Sequence, residues 1–137
     1  MAISADVATG QQATAAQYNA LRDDIWQYVE MTTVNNQVGG TAWADYDLSA
    51  LIPAGAKAVV IEAVGYGNNG YITVGVRKNG SATAWNVFSV ESITTNSAFT
   101  SYTTIVECDA NRIIEIIASV ATNVKFYLKG YFISIGA

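Results

Sequence analysis

From Val124 to Phe132 the chain alternates apolar and polar residues, and this period of two constrains its fold more than any other feature. Successive side chains of a strand point to opposite faces. Val124, Phe126, Leu128 and Phe132 are therefore expected on a core face, and Lys125, Tyr127, Lys129 and Tyr131 on the other. The second set pairs two cations with two phenols, which suits either a solvated outer face or a surface for a ligand or partner.

The segment before it carries isoleucine at 113, 114, 116 and 117, interrupted only by Glu115, a pattern that predicts burial on both faces. Further upstream, short runs rich in Val, Ile, Thr and aromatic residues lie near 32–38, 41–47, 57–65, 71–78, 83–92 and 98–108. With 112–119 and 123–134 they predict about eight strands. The chain thus reads as mainly β, an antiparallel sandwich of jelly-roll type.

The punctuation supports this reading. Asn79-Gly80 predicts a type I′ hairpin turn, in which both central residues take positive φ. Asn68-Asn69-Gly70 and Asp109-Ala110-Asn111 read as further turns, and Gly39-Gly40 breaks the chain before the second strand. Pro53, the single proline, lacks an N–H donor and fits a corner between strands.

The N-terminal segment follows another rule. Thr14 to Gln17 fits a helix capping box, and Tyr18, Leu21, Ile25 and Tyr28 follow at spacings of three, four and three. Trp26 and Val29 widen that apolar stripe. The expectation is an arm and helix over 1–31, serving anchoring or oligomerisation through the Tyr18–Leu21–Ile25–Tyr28 stripe, ahead of a sandwich domain over 32–137.

Composition bears on what the chain does. It is 51% hydrophobic and only 13% charged, which leaves little charge to cover a free surface and favours a subunit that works in an assembly. The net charge of −4 gives no cluster of cations for a phosphate backbone, so nucleic acid is not an expected partner. Four of the acids, Asp6, Asp23, Asp24 and Glu30, lie in the first forty residues against Arg22 alone, so the remainder is close to neutral.

No run approaches the roughly 18 apolar residues of a membrane-spanning helix, and membrane insertion is not expected. The first residues lack the basic and apolar regions of a secretory signal, which points to synthesis in a cytoplasm. Cys108 has no partner for an internal disulfide and reads as a buried apolar side chain.

There is no histidine, which removes histidine-based nucleophile systems and histidine metal sites. Asp45 and Asp47 would share a face of one strand and could in principle act as a glycosidase pair, or bind calcium with Asn68 and Asn69. A polar strand end explains them as well. No catalytic, cofactor or metal site is expected. Trp43, Trp85, Tyr66, Tyr71, Tyr127 and Tyr131 could stack on sugars if exposed, which keeps a carbohydrate-binding adhesin or receptor-binding module as the alternative reading.

Two parts of the chain resemble known proteins. Residues 8–24, ATGQQATAAQYNALRDD, resemble the leader of many tail, fibre and minor structural proteins of tailed bacteriophages. Residues 47–56 (DLSALIPAGA), 76–81 (VRKNGS), 109–116 (DANRIIEI) and 126–132 (FYLKGYF) are similar to a β-sandwich module of phage virion proteins.

The resemblance implies a non-enzymatic virion structural protein, made in the host cytoplasm and assembled as a homotrimer. Its implied partners are other copies of itself and other virion proteins; a host-surface glycan belongs to the alternative, adhesin reading. A helix leading almost directly into one sandwich leaves no room for a long shaft. A capsid decoration protein, short head fibre or small tail component is therefore expected.

Overall fold

The computed structural model describes residues 14–15, 25–65, 70–83, 86–92, 100–120 and 124–134. Among them are eight strands: β1 (Trp26–Val38), β2 (Ala44–Asp47), β3 (Ala56–Gly65), β4 (Gly70–Lys78), β5 (Asn86–Ser92), β6 (Thr100–Glu107), β7 (Ile113–Ala118) and β8 (Val124–Ser134). They form two four-stranded antiparallel sheets, ordered β1-β8-β3-β6 and β2-β7-β4-β5. Strands pair first with last: β1 with β8, β2 with β7, β3 with β6 and β4 with β5. The molecule is in effect one long hairpin folded over on itself.

The four inner strands build the core by simple alternation. Val59, Ile61 and Ala63 of β3 and Val124, Phe126 and Leu128 of β8 face Ile72, Val74 and Val76 of β4 and Ile114, Ile116 and Ala118 of β7, all buried. The isoleucine-rich segment resolves into two faces: Ile114 and Ile116 are fully buried, while Ile113 and Ile117 are half-covered on the outside. Cys108 is buried as expected, and its thiol lies 3.4 Å from the carbonyl of Ala56.

Gly39-Gly40 is where the chain leaves one sheet for the other. The Gly39 N–H donates to Val124 O at 3.3 Å in the first sheet, and Gly40 O accepts from Ala118 N at 2.8 Å in the second. A Cβ on Gly39 would lie 2.7 Å from the Cβ of Ala118 and 2.9 Å from Phe126 Cε2, so only glycine lets the backbone cross there. Pro53 occupies its expected corner, in a turn closed from Ala56 N to Pro53 O at 3.3 Å with Gly55 at φ 92°.

The β6–β7 turn is held by Asp109, whose Oδ1 accepts the N–H groups of Asn111 (2.9 Å) and Ile113 (2.8 Å). Arg112 beside it takes φ 66°, and it is the one non-glycine residue with positive φ among the described residues. This position is fixed from several sides. Arg112 O accepts from Leu48 N at 3.1 Å, and its Nη1 donates to Ile52 O at 3.1 Å.

Three expectations need correction. First, Trp26, Tyr28 and Val29 are not helical, and the expected division between 31 and 32 falls inside β1. Their apolar spacing suits a strand as well as a helix, and β8 supplies a partner from Trp26↔Ser134 to Glu30↔Gly130. Of the expected stripe, Ile25 is exposed just before β1 and Tyr28 lies within it, while Tyr18 and Leu21 lie outside the described residues.

Second, the Asn79-Gly80 turn closes from Ser81 N to Lys78 O at 3.0 Å, but only Gly80 has positive φ (74°), the pattern of a type II turn. Because β5 starts at Asn86, the connection is longer than a two-residue hairpin loop. Third, the alternation of β8 does not persist to Phe132. Against β3, Leu128 pairs with Ile61 and Gly130 with Val60, so Lys129 is an extra residue in β8 and the faces exchange beyond it. Tyr131, opposite Val59, packs against the core, and Phe132 turns outward.

Candidate interaction face

The outer side of the β1-β8-β3-β6 sheet carries the residues with most to offer another molecule. Register places Tyr28, Phe132, Ala58 and Glu107 in one row across the sheet and Glu30, Gly130, Val60 and Ile105 in the next. Tyr28 and Phe132 meet with ring centroids 5.5 Å apart at 52°, a tilted aromatic pair. The Tyr28 ring extends over Gly130, where a Cβ would lie 2.6 Å from Tyr28 Cζ, and its hydroxyl donates to Lys129 O at 3.3 Å. Here glycine is needed for space alone.

Beside this pair, Ile105 is 57% exposed on the edge strand and Val60 is half-buried next to it. Farther along the sheet, Tyr127 stands opposite Glu62 and Lys125 opposite Val64. The Lys129 ammonium reaches Glu62 Oε2 at 3.3 Å, tying the bulge back to β3. Of the expected ligand or partner face, Lys125, Tyr127 and Lys129 thus share the outer side, and Tyr131 does not. Of the expected anchoring stripe, Tyr28 joins this face.

Phe132, Val60 and Ile105 escaped the sequence reading. Phe132 is misplaced by any reading of β8 that assumes an unbroken period of two. Val60 and Ile105 are 45 positions apart and meet only through the β3–β6 register, which no local pattern encodes.

The outer side of the other sheet is organised by charge. Arg77 donates from Nε to Glu115 Oε2 at 2.8 Å and from Nη2 to Oε1 at 3.2 Å, and its guanidinium lies 4.1 Å from the centre of the Trp43 ring. The N–H of Gly80 also donates to Glu115 Oε2 at 3.3 Å. One face of Trp43 is therefore covered by its own chain.

Asp45 and Asp47 lie on this side, both exposed on β2, with Asp45 in register with Glu115. Asp47 Oδ1 accepts the Ser49 N–H at 2.8 Å, and the backbone and side-chain hydrogen bonds from Ser49 hold its carboxyl below the ordinary range. That is opposite to the raised value a carboxylic general acid needs. Asn68 and Asn69, the other candidate calcium ligands, lie outside the described residues, as do Tyr66 and Trp85, and the Tyr71 side chain is likewise not described.

No protein-family model matches the chain, and no curated protein does. Among solved structures, the chain is similar to a protein of the Bacillus endospore appendages, described as a novel family of disulfide-linked pili. The identity is 12% and the TM-score 0.47, over 92% of this chain and 98% of that one. It is also similar to a carbohydrate-binding module of lichenase 5A from Cellvibrio mixtus, in complex with cellotriose, with 15% identity and a TM-score of 0.40 over 79% of this chain and 86% of that one.

Proposed function

We propose that the chain is a non-enzymatic structural subunit of a bacteriophage virion, of the capsid-decoration, short head-fibre or small tail-component kind, that assembles as a homotrimer. The observation that carries the assembly is the apolar outer face of the β1-β8-β3-β6 sheet, where Tyr28, Phe132, Val60 and Ile105 adjoin. Contiguous exposed apolar surface of this kind marks contact sites rather than solvated faces.

The virion assignment draws on the resemblance of residues 8–24 and of the sandwich segments to phage proteins. The nested strand pairing is read as a jelly roll, an architecture used by viral capsid and lectin domains.

The test is the particle mass in solution and on the phage. Light scattering should give a discrete multiple of the 14.6 kDa subunit, and Ile105→Lys should lower it while the circular dichroism of the sheets persists. A wild-type particle of subunit mass at micromolar concentration would defeat the assembly reading. Failure to find the chain by mass spectrometry in purified phage particles from its source genome would defeat the virion reading.

A further inference from the structure

We infer that the cleft beside Trp26, at one end of the sandwich, is a binding site for a neutral saccharide. This goes beyond assembly, since all the described lining residues belong to one chain. Its volume is about 430 Å³, within the range of about 300–1,000 Å³ common for ligand pockets. Both sheets contribute to it. Trp26 opens β1, Lys57 lies in β3, Lys78 ends β4, Glu107 ends β6, Asp109 follows in the turn, and Gly55 leaves one wall without a side chain.

The chemistry of the lining selects the ligand class. The Trp26 side chain is 48% exposed at the rim, so an indole surface is offered to a partner rather than used in the core. An aromatic face packs well against the C–H face of a pyranose ring, which is apolar although its edge is hydroxylated. The other lining residues include Lys57 and Lys78, whose ammonium groups only donate hydrogen bonds, and Glu107 and Asp109, whose carboxylates only accept them. Sugar hydroxyls do both, so a polyol can bond to donors and acceptors alike.

The balance of charge narrows the choice. An anion would be drawn to Lys57 and Lys78 but would meet Glu107 and Asp109, and a cation would meet the reverse. Neither gains a net field from a lining with two charges of each sign. One acceptor is also held in place before any ligand arrives: Asn79 Nδ2 donates to Asp109 Oδ2 at 2.9 Å, and Oδ1 is held by the N–H groups of Asn111 and Ile113. Fixed polar groups of this kind reduce the ordering cost of binding.

A second cleft of about 320 Å³ shares Lys78 and Glu107 and is lined also by Ser81 and Thr83, which bear hydroxyls, and by Ile105 at the margin of the assembly face. Two adjoining clefts with a common wall suit a ligand of more than one sugar ring.

The experiment is calorimetric titration of the full chain with maltotriose, cellotriose and tri-N-acetylchitotriose, with inorganic phosphate as the charged probe. At least one trisaccharide should bind saturably, and phosphate should not. Trp26→Ala should weaken binding by roughly tenfold or more, whereas Trp26→Tyr, which keeps an aromatic face, should retain most of it. The tyrosine variant keeps the test decisive should Trp26→Ala not fold. Absence of binding by all three trisaccharides, equal binding by wild type and Trp26→Ala, or preference for phosphate would each overturn the inference.

Discussion

The two outer faces of the sandwich are built on the same pleat and the same strand count, yet they end in different chemistry. On the β2-β7-β4-β5 side, Arg77 is bound at once by Glu115 and by the Trp43 ring, so these three groups complete one another. On the β1-β8-β3-β6 side, the centre is held by an aromatic pair and branched aliphatics, and the Lys129–Glu62 ion pair beside them is half-exposed at the lysine side chain. Polar groups satisfied within the chain mark a face that is finished. Apolar groups left half-covered mark one that gains by contact.

The comparison can be attacked first at Arg77, where the largest effect is expected. Arg77→Ala removes a bidentate pair and a ring contact and leaves Glu115, whose side chain is 14% exposed, without its cation. The loss should be about 1–3 kcal/mol of folding stability by urea unfolding, with the particle mass unchanged. A fall in mass without a fall in stability would mean that this face, not the other, is the contact surface.

Acid should separate the sheets next. Asp47 has its carboxyl lowered by the hydrogen bonds from Ser49. In Asp109, desolvation pushes the carboxyl up, but the bonds from Ile113, Asn79 and Asn111 together outweigh it and hold it lower. A lowered folded-state value means that the contribution is complete above the unfolded value near 3.8 and is lost as pH falls through the lower folded values.

Both carboxylates brace turns at one margin of the charged sheet. Amide exchange in β2 and β7 should therefore accelerate below that point before exchange in β3 and β8 does. Simultaneous loss in both sheets would show that the turns are not what acid undoes.

The smallest effect is expected at Lys129. Lys129→Ala removes a surface ion pair and should change stability by less than about 1 kcal/mol. Because the bulge is set by register rather than by the ammonium, Phe132 should stay outward, and the particle mass should be unchanged. A shift of several kcal/mol would mean that the ion pair, not the strand pairing, fixes the exchange of faces.

Much of this was legible in the sequence wherever one local rule governed. The strands after residue 40, the Pro53 corner, the Asp109 turn and the burial of Cys108 follow from alternation and turn chemistry that act over a few residues. The first half of β1 escapes a local reading because Trp26 to Val29 satisfies two periodicities and the deciding partner, β8, is about a hundred positions away, whereas the second half falls on the strand expected at 32–38. The exchange of Tyr131 and Phe132 was missed because a bulge is a property of two strands in register, and it shows in neither strand alone. The candidate face was half visible for the same reason: Lys125, Tyr127 and Lys129 precede or mark the bulge, whereas Phe132, Val60 and Ile105 depend on it or on the pairing of β3.

The first-with-last pairing has a consequence for biosynthesis. Only β4 and β5 can pair soon after both have left the ribosome, while β3 must wait for β6, β2 for β7 and β1 for β8. Each successive pairing closes a longer loop, so the order of closure is zipper-like and slow compared with local folding. β8 is bonded to both β1 and β3 and is translated after the other seven strands, so the sheet that carries Tyr28 and Ile105 is unfinished until translation has passed residue 134. During that interval β1 is an unpaired edge made of Trp, Tyr, Val and Thr, and crowded nascent chains are exposed to mispairing between neighbours. Slower elongation through 124–134 should lower the yield of correctly folded chain.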